Sequence, residues 1–215
     1  MSLSVMFKAP VLIENGIVKT PVPGAVLRFA VLVPHRDSLK LLRTLSRRLF
    51  AAGFPGAFSF PQAAPLALLS RPLSHGELGD LAADLRESSA VRDGIITAGP
   101  AVSLPFRNEE PELRGFACWG LRLDLAVPAV IPGAVRRFPF TVLCAALVRA
   151  GMNTAGMDAA AADLFPLHFR AAAAANMSLT ALESGEPGYS FMWKLGEPRW
   201  LPRPGRRSPS TENPG

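Results

Sequence analysis

The period of apolar and polar positions changes several times along the chain, and each change marks an element. Ala25 to Pro34 is apolar except for Arg28, which predicts a buried strand over Leu27 to Val33 ending at Pro34-His35. Ser38 then reads as an N-cap. Leu39, Leu42, Leu45 and Leu49 follow at near-helical spacing, up to Gly53, which stands where a left-handed C-cap belongs. Pro65 to Leu69 is a short apolar run. The strongest local signal comes next: Ser74-His75-Gly76-Glu77 is a capping box, followed by Leu78, Leu81 and Leu85 on one helical face and Asp80, Asp84 and Glu87 toward the other.

Beyond this second helix the period shortens to that of strands. Gly94 to Leu104 and Phe116 to Leu125 are predicted strands, the latter alternating Arg122 and Asp124 with Leu121, Leu123 and Leu125. Arg107 to Arg114 between them is charged and proline-containing, hence a loop. Phe138 to Val148 reads as a central strand and Asp158 to Leu164 as a helix stopping before Pro166. The five alanines Ala171 to Ala175 favour helix on propensity, yet a turn at Gly185 to Gly188 opens a hairpin of Phe169–Leu182 with Tyr189–Trp200 as the alternative. The organisation expected is an N-terminal extension over 1–24, one domain over 25–201, and a disordered basic tail over 202–215. No sequence repeat at fixed period stands out.

Composition narrows the class. With 215 residues, 49% hydrophobic, the chain can bury a proper core, and 21 prolines favour many short elements. No apolar run reaches the roughly 18 residues of a membrane span, and Met1 to Lys8 lacks the layout of a signal peptide. Cys118 and Cys144 lie in strand-like apolar text at a spacing that fits no metal pattern, which predicts two buried reduced thiols and a cytoplasmic protein without metal or cofactor. The net charge of +6 is partly carried by Arg203, Arg206 and Arg207 in the tail, so the body is mildly basic. Lys40, Arg43 and Arg47 form a basic stripe on the first helix; a solvated face explains it most simply, and contact with a phosphate backbone is the functional alternative. Nucleotide-binding glycine loops, a nucleophile elbow and metal-spaced His/Cys clusters are missing, and Glu109-Glu110-Pro111-Glu112 reads as solvated loop.

In its order of elements the chain resembles the two-histidine phosphoesterase superfamily, which includes the RNA ligase/cyclic phosphodiesterase-like proteins. The resemblance runs from Phe29-Ala-Val-Leu-Val-Pro34 through Pro65-Leu-Ala-Leu-Leu-Ser-Arg-Pro-Leu-Ser-His-Gly-Glu-Leu78 and Phe138-Pro-Phe-Thr-Val-Leu143 to the strand opened by Tyr189, spanning Leu27 to Leu201. It implies a two-lobed α+β fold of mainly antiparallel sheets forming a central groove, with helices packed outside. In such enzymes each of two central strands carries a His-x-Thr or His-x-Ser motif. One histidine accepts a proton and the other donates one, while hydroxyls two residues along hold the phosphate oxygens.

The motif chemistry is missing from this chain. His35 is followed two positions on by Asp37, His75 by Glu77 and His168 by Arg170. The positions matching the first motif are Ala64, Leu66 and Leu68, and those matching the second are Phe140 and Val142, none able to move a proton. The expectation is therefore a non-catalytic domain with a binding or structural role. An apolar groove lining favours an apolar ligand or simple core filling over a phosphate. Two alternatives stand beside it: a divergent phosphoesterase or RNA-end-processing enzyme using relocated groups such as His35, Arg71 and His168, and a nucleic-acid binding module using the Arg-rich helix and tail. The partners in view are a nucleotide, RNA or an apolar ligand, without membrane insertion.

Overall fold

The computed structural model describes residues 12–14, 17–19, 21–53, 63–87, 95–105, 116–149, 151–162, 167–182 and 190–200. The chain begins β1 (Leu12–Glu14), β2 (Ile17–Lys19), β3 (Pro21–Pro34), α1 (Arg36–Ala51), β4 (Ala64–Leu69), α2 (His75–Glu87) and β5 (Ile95–Pro105). It continues β6 (Phe116–Leu123), β7 (Ala134–Arg137), β8 (Thr141–Arg149), α3 (Ala155–Ala162), β9 (Leu167–Leu182), β10 (Ser190–Leu195) and β11 (Arg199–Trp200). This is the expected α+β class, with every strand pair among the described residues antiparallel. The 1–24 extension is not featureless: β1 and β2 pair with each other, and β3 already begins at Pro21.

One strand joins two groups of strands. The sheet order is β7-β4-β3-β9-β5-β6-β8, with β10 and β11 also on β9. The start of β9 pairs with β5 (Ile96 opposite Phe169), and from Ala171 onward it pairs with β3 (Phe29 opposite Met177). Its other edge takes β10 and β11. Two sets of partners along one strand account for its 16 residues, longer than the short elements that the proline content suggests. Hence also the fate of the alanine run. Ala173, Ala174 and Ala175 are fully buried, Ala174 toward the helices and Ala175 toward the opposite face. A central strand covered on both sides needs small residues, and that tertiary demand overrides helix propensity. Of the two readings the sequence left open, the hairpin is the one observed, with Ser190–Leu195 and Arg199–Trp200 on β9.

The helices cover one side only. Leu42, Leu45 and Leu49 of α1, Leu78, Leu81 and Leu85 of α2, and Met157 and Ala161 of α3 share one core cluster with Ala30, Leu66, Trp119 and Leu143. Helix α1 ends on Gly53 at φ 88, the left-handed conformation that a side chain would strain. Ser38 is not its N-cap: α1 already starts at Arg36. The buried Ser38 hydroxyl, in the first turn, instead accepts from the Arg170 N–H at 3.0 Å, while the His35 N–H donates to the Arg170 carbonyl at 2.8 Å. Helix α3 starts at Ala155 rather than Asp158. Asp158 receives the Trp119 Nε1–H at 2.8 Å and the Thr154 hydroxyl at 3.1 Å, so it ties the helix to β6. Cys118 is a buried free thiol; the side chain of Cys144, the loop 107–114 and the tail lie outside the described residues.

The capping box forms as expected and is extended by Arg71. Glu77 accepts from the Ser74 N–H at 2.7 Å, the Ser74 hydroxyl accepts from the Glu77 N–H at 3.3 Å, and Arg71 grips both Glu77 oxygens at 2.6 and 2.9 Å. The Arg71 hydrogen bonds, then those from Ser74, lower the Glu77 carboxyl from 4.5 to about 2. A depressed carboxyl stabilises the folded state fully above its unfolded value and loses that contribution as pH falls through the folded one. Protection factors in the first turn of α2 should accordingly hold steady above pH 4.5 and decline toward about 2. Glu77→Gln should weaken that protection at neutral pH and flatten the decline; an unchanged decline would assign it to other groups.

Candidate functional site

Residues opposite one another in an antiparallel pair share a face, so the register shows which side chains meet. On the face away from the helices, Phe29 lies opposite both Leu68 and Met177, and Leu68 opposite Arg136. In the other group of strands, Val142 lies opposite Arg122. Phe29, Val31, Leu68, Leu104, Cys118, Phe138, Val142, Ala175, Met177 and Leu179 form one buried cluster drawn from both groups. Strands β4 and β8, near opposite ends of the sheet order, also lie against each other. The sheet therefore folds over on itself, and apolar side chains fill the fold.

Leu66 and Leu68 part company here, against the expectation that Ala64, Leu66 and Leu68 line one face. The register of β3 on β4 slips between Ala30 and Val31, pairing Ala67 and then Pro65 and leaving Leu66 as the extra residue. That bulge turns Leu66 toward the helices with Ala64, while Leu68 joins the strand-side cluster. Phe140 precedes β8, which starts at Thr141 rather than Phe138, and is half-buried against the cluster that holds Val142. Thr141 is fully buried, with its hydroxyl on the Leu125 carbonyl at 3.2 Å.

The relocated candidates do not converge as a set. His168 and Arg170 are exposed residues of β9, and the backbone of Arg170 holds that of His35, so these groups belong to one end of the molecule. Arg71 and the exposed His75 flank Leu73, whose backbone is held by Asn176. Six residues of strand separate Arg170 from Asn176, about 20 Å. Arg71 is engaged by Glu77, and Lys40, Arg43 and Arg47 all point to solvent from α1. Among the described residues no group of His, Cys, Asp and Glu could hold a metal ion, and no helix is long and apolar enough to cross a membrane.

The structure also shows a site that sequence reasoning missed. Phe138-Pro139-Phe140, which links β7 to β8, stacks both rings under arginines. Arg136 sits over Phe138 and Arg122 over Phe140, each at 5.1 Å, and Phe138 in turn stacks on Phe29 at 6.4 Å. Arg136 also reaches the Pro105 carbonyl of β5 at 3.4 Å, spanning the two groups of strands. Beside the Arg122–Phe140 pair lies an open pocket of about 520 Å³ whose wall includes Gly99, Asp124 and Pro139. The alternation of Arg122 and Asp124 with buried leucines marked them as exposed; only the pairing of β6 with β8, which sets Leu123 opposite Thr141, brings them to Phe140.

No family model, curated protein or solved structure matches the chain.

Proposed function

We propose that this protein is a non-catalytic domain on the two-histidine phosphoesterase plan, acting by binding rather than by phosphoryl chemistry. One observation carries the reading: Leu68 and Val142, at positions where the resemblance would put motif residues of the two strands, belong to one buried apolar cluster. Groups that hold or protonate a phosphate need polar side chains, space and water at such positions. Their place is taken here by packed hydrocarbon. The pocket at Phe140 supports a binding role, since it stays open where the cluster ends.

The enzymatic alternative draws less support, because Arg71 and the His35–His168 end lie about 20 Å apart along β9. The nucleic-acid alternative rests on the solvent-facing Lys40, Arg43 and Arg47, which a solvated helix face explains equally well. The deciding experiment is hydrolysis of 2′,3′-cyclic nucleotides by the full chain. The reading expects no turnover above a protein-free control. Robust turnover abolished by His35→Ala or His168→Ala would overturn it.

A further inference from the structure

We infer that the pocket beside Phe140 binds a small zwitterion of the amino-acid class, carboxylate on Arg122, ammonium toward Asp124, and apolar side chain against Phe140 and Pro139. The inference rests on the binding role proposed above and names its ligand.

The first argument is the state of the two charges. Arg122 and Asp124 are both exposed, set between buried Leu121, Leu123 and Leu125, and no ion pair joins either to a described residue. Arg122 lies instead across the Phe140 ring at 5.1 Å. A cation–π contact of this kind is made to the ring and consumes no N–H donor on an acceptor oxygen, which leaves guanidinium donors for a ligand. A carboxylate suits such a fork, because two parallel N–H···O bonds form at once.

The second argument is what Asp124 excludes. A dianionic phosphate on Arg122 would meet the Asp124 carboxylate at the same mouth. An ammonium group would instead be welcomed there. Arg122 near the end of β6 and Asp124 just beyond it are two residues apart, at most about 7 Å between their backbones, and an α-amino acid, whose carboxylate and ammonium are attached to one carbon, is compact enough to lie between the two. The void, about 520 Å³, falls within the range of small-ligand pockets. Gly99 leaves its wall bare; a Cβ there would make only an ordinary 3.7 Å contact with the Arg122 carbonyl. A larger residue at that position is therefore a way to take up pocket space with both charges kept in the chain.

The test is calorimetric titration of the full chain with L-phenylalanine, 3-phenylpropionate (no ammonium), phenethylamine (no carboxylate) and inorganic phosphate. Phenylalanine should bind saturably, and each single-charge analogue should bind roughly tenfold more weakly or worse. Arg122→Ala and Gly99→Val should each weaken phenylalanine by a similar factor, with circular dichroism checking the fold. Asp124→Asn should abolish the preference for phenylalanine over 3-phenylpropionate. The proposal is overturned by lack of saturable phenylalanine binding at millimolar concentration, by equal binding of the single-charge analogues, or by phosphate binding more tightly than phenylalanine. Failure here leaves the non-catalytic reading standing, whereas turnover of cyclic nucleotides removes that reading and leaves the pocket's ligand to this titration.

Discussion

Replacing Trp119 by alanine should lower the free energy of unfolding by about 3–5 kcal/mol, the range for removing a large aromatic from a packed core. Trp119 is fully buried, a member of the core cluster that draws on all three helices and both groups of strands, so the cavity would open inside that core. Its indole also donates to Asp158 at 2.8 Å, which couples β6 to the first turns of α3. Trp119→Phe separates the two contributions. The ring would still fill most of the volume, and the loss should be about 1–2 kcal/mol, because Asp158 keeps its bond from Thr154. Urea unfolding of both variants checks the order. Equal losses would mean that the hydrogen bond, not the packing, carries the effect. The larger loss would be a substantial share of the about 5–15 kcal/mol that holds an ordinary domain folded.

What was legible in the chain was whatever local physics decides. The leucine spacing of α1, the Ser74–Glu77 box and the alternation around Arg122 each follow from contacts within a few residues, and each appears in the fold. Ser38 and Asp158 show where that logic stops. Both have the chemistry of helix starts, but Ser38 is spent on Arg170 and Asp158 on Trp119, partners 132 and 39 residues away. Alternation also assumes an unbroken strand. At Leu66 a bulge shifts the register, so a two-residue count from Leu66 to Leu68 lands on the wrong face. Leu68 and Val142, far apart in the chain, do come together in one buried cluster, with Phe140 packed against it. The pocket was out of reach of any local pattern, because Arg122 and Phe140 meet only after β6 and β8 pair.

Asn176→Ala is the second large effect, and it probes a contact between distant parts of the chain. In the middle of β9 the Asn176 side chain accepts from the Leu73 N–H at 2.8 Å and donates to the Leu73 carbonyl at 2.8 Å, as a neighbouring strand would. Leu73 is buried, and it precedes the Ser74 cap, so this one amide fixes where α2 begins. Alanine would leave a part-buried donor and a part-buried acceptor without partners, against about 1–3 kcal/mol each for fully buried groups. Water can reach part of the site, so the total should fall near the low end, about 2–4 kcal/mol. Asn176→Asp should fare no better: one oxygen can still accept, but the other then faces the Leu73 carbonyl. Loss of amide protection at Leu73 and Ser74, alongside a lower urea midpoint, is the expected signature. Gly196→Ala offers the control, because its Cβ would press on the Asn176 backbone oxygen at 3.3 Å and make only an ordinary 3.6 Å contact with the Asn176 Cβ, while the Asn176 amide itself is kept. If protection at Leu73 survives Asn176→Ala and falls with Gly196→Ala, the backbone of β9 rather than its amide side chain positions the helix.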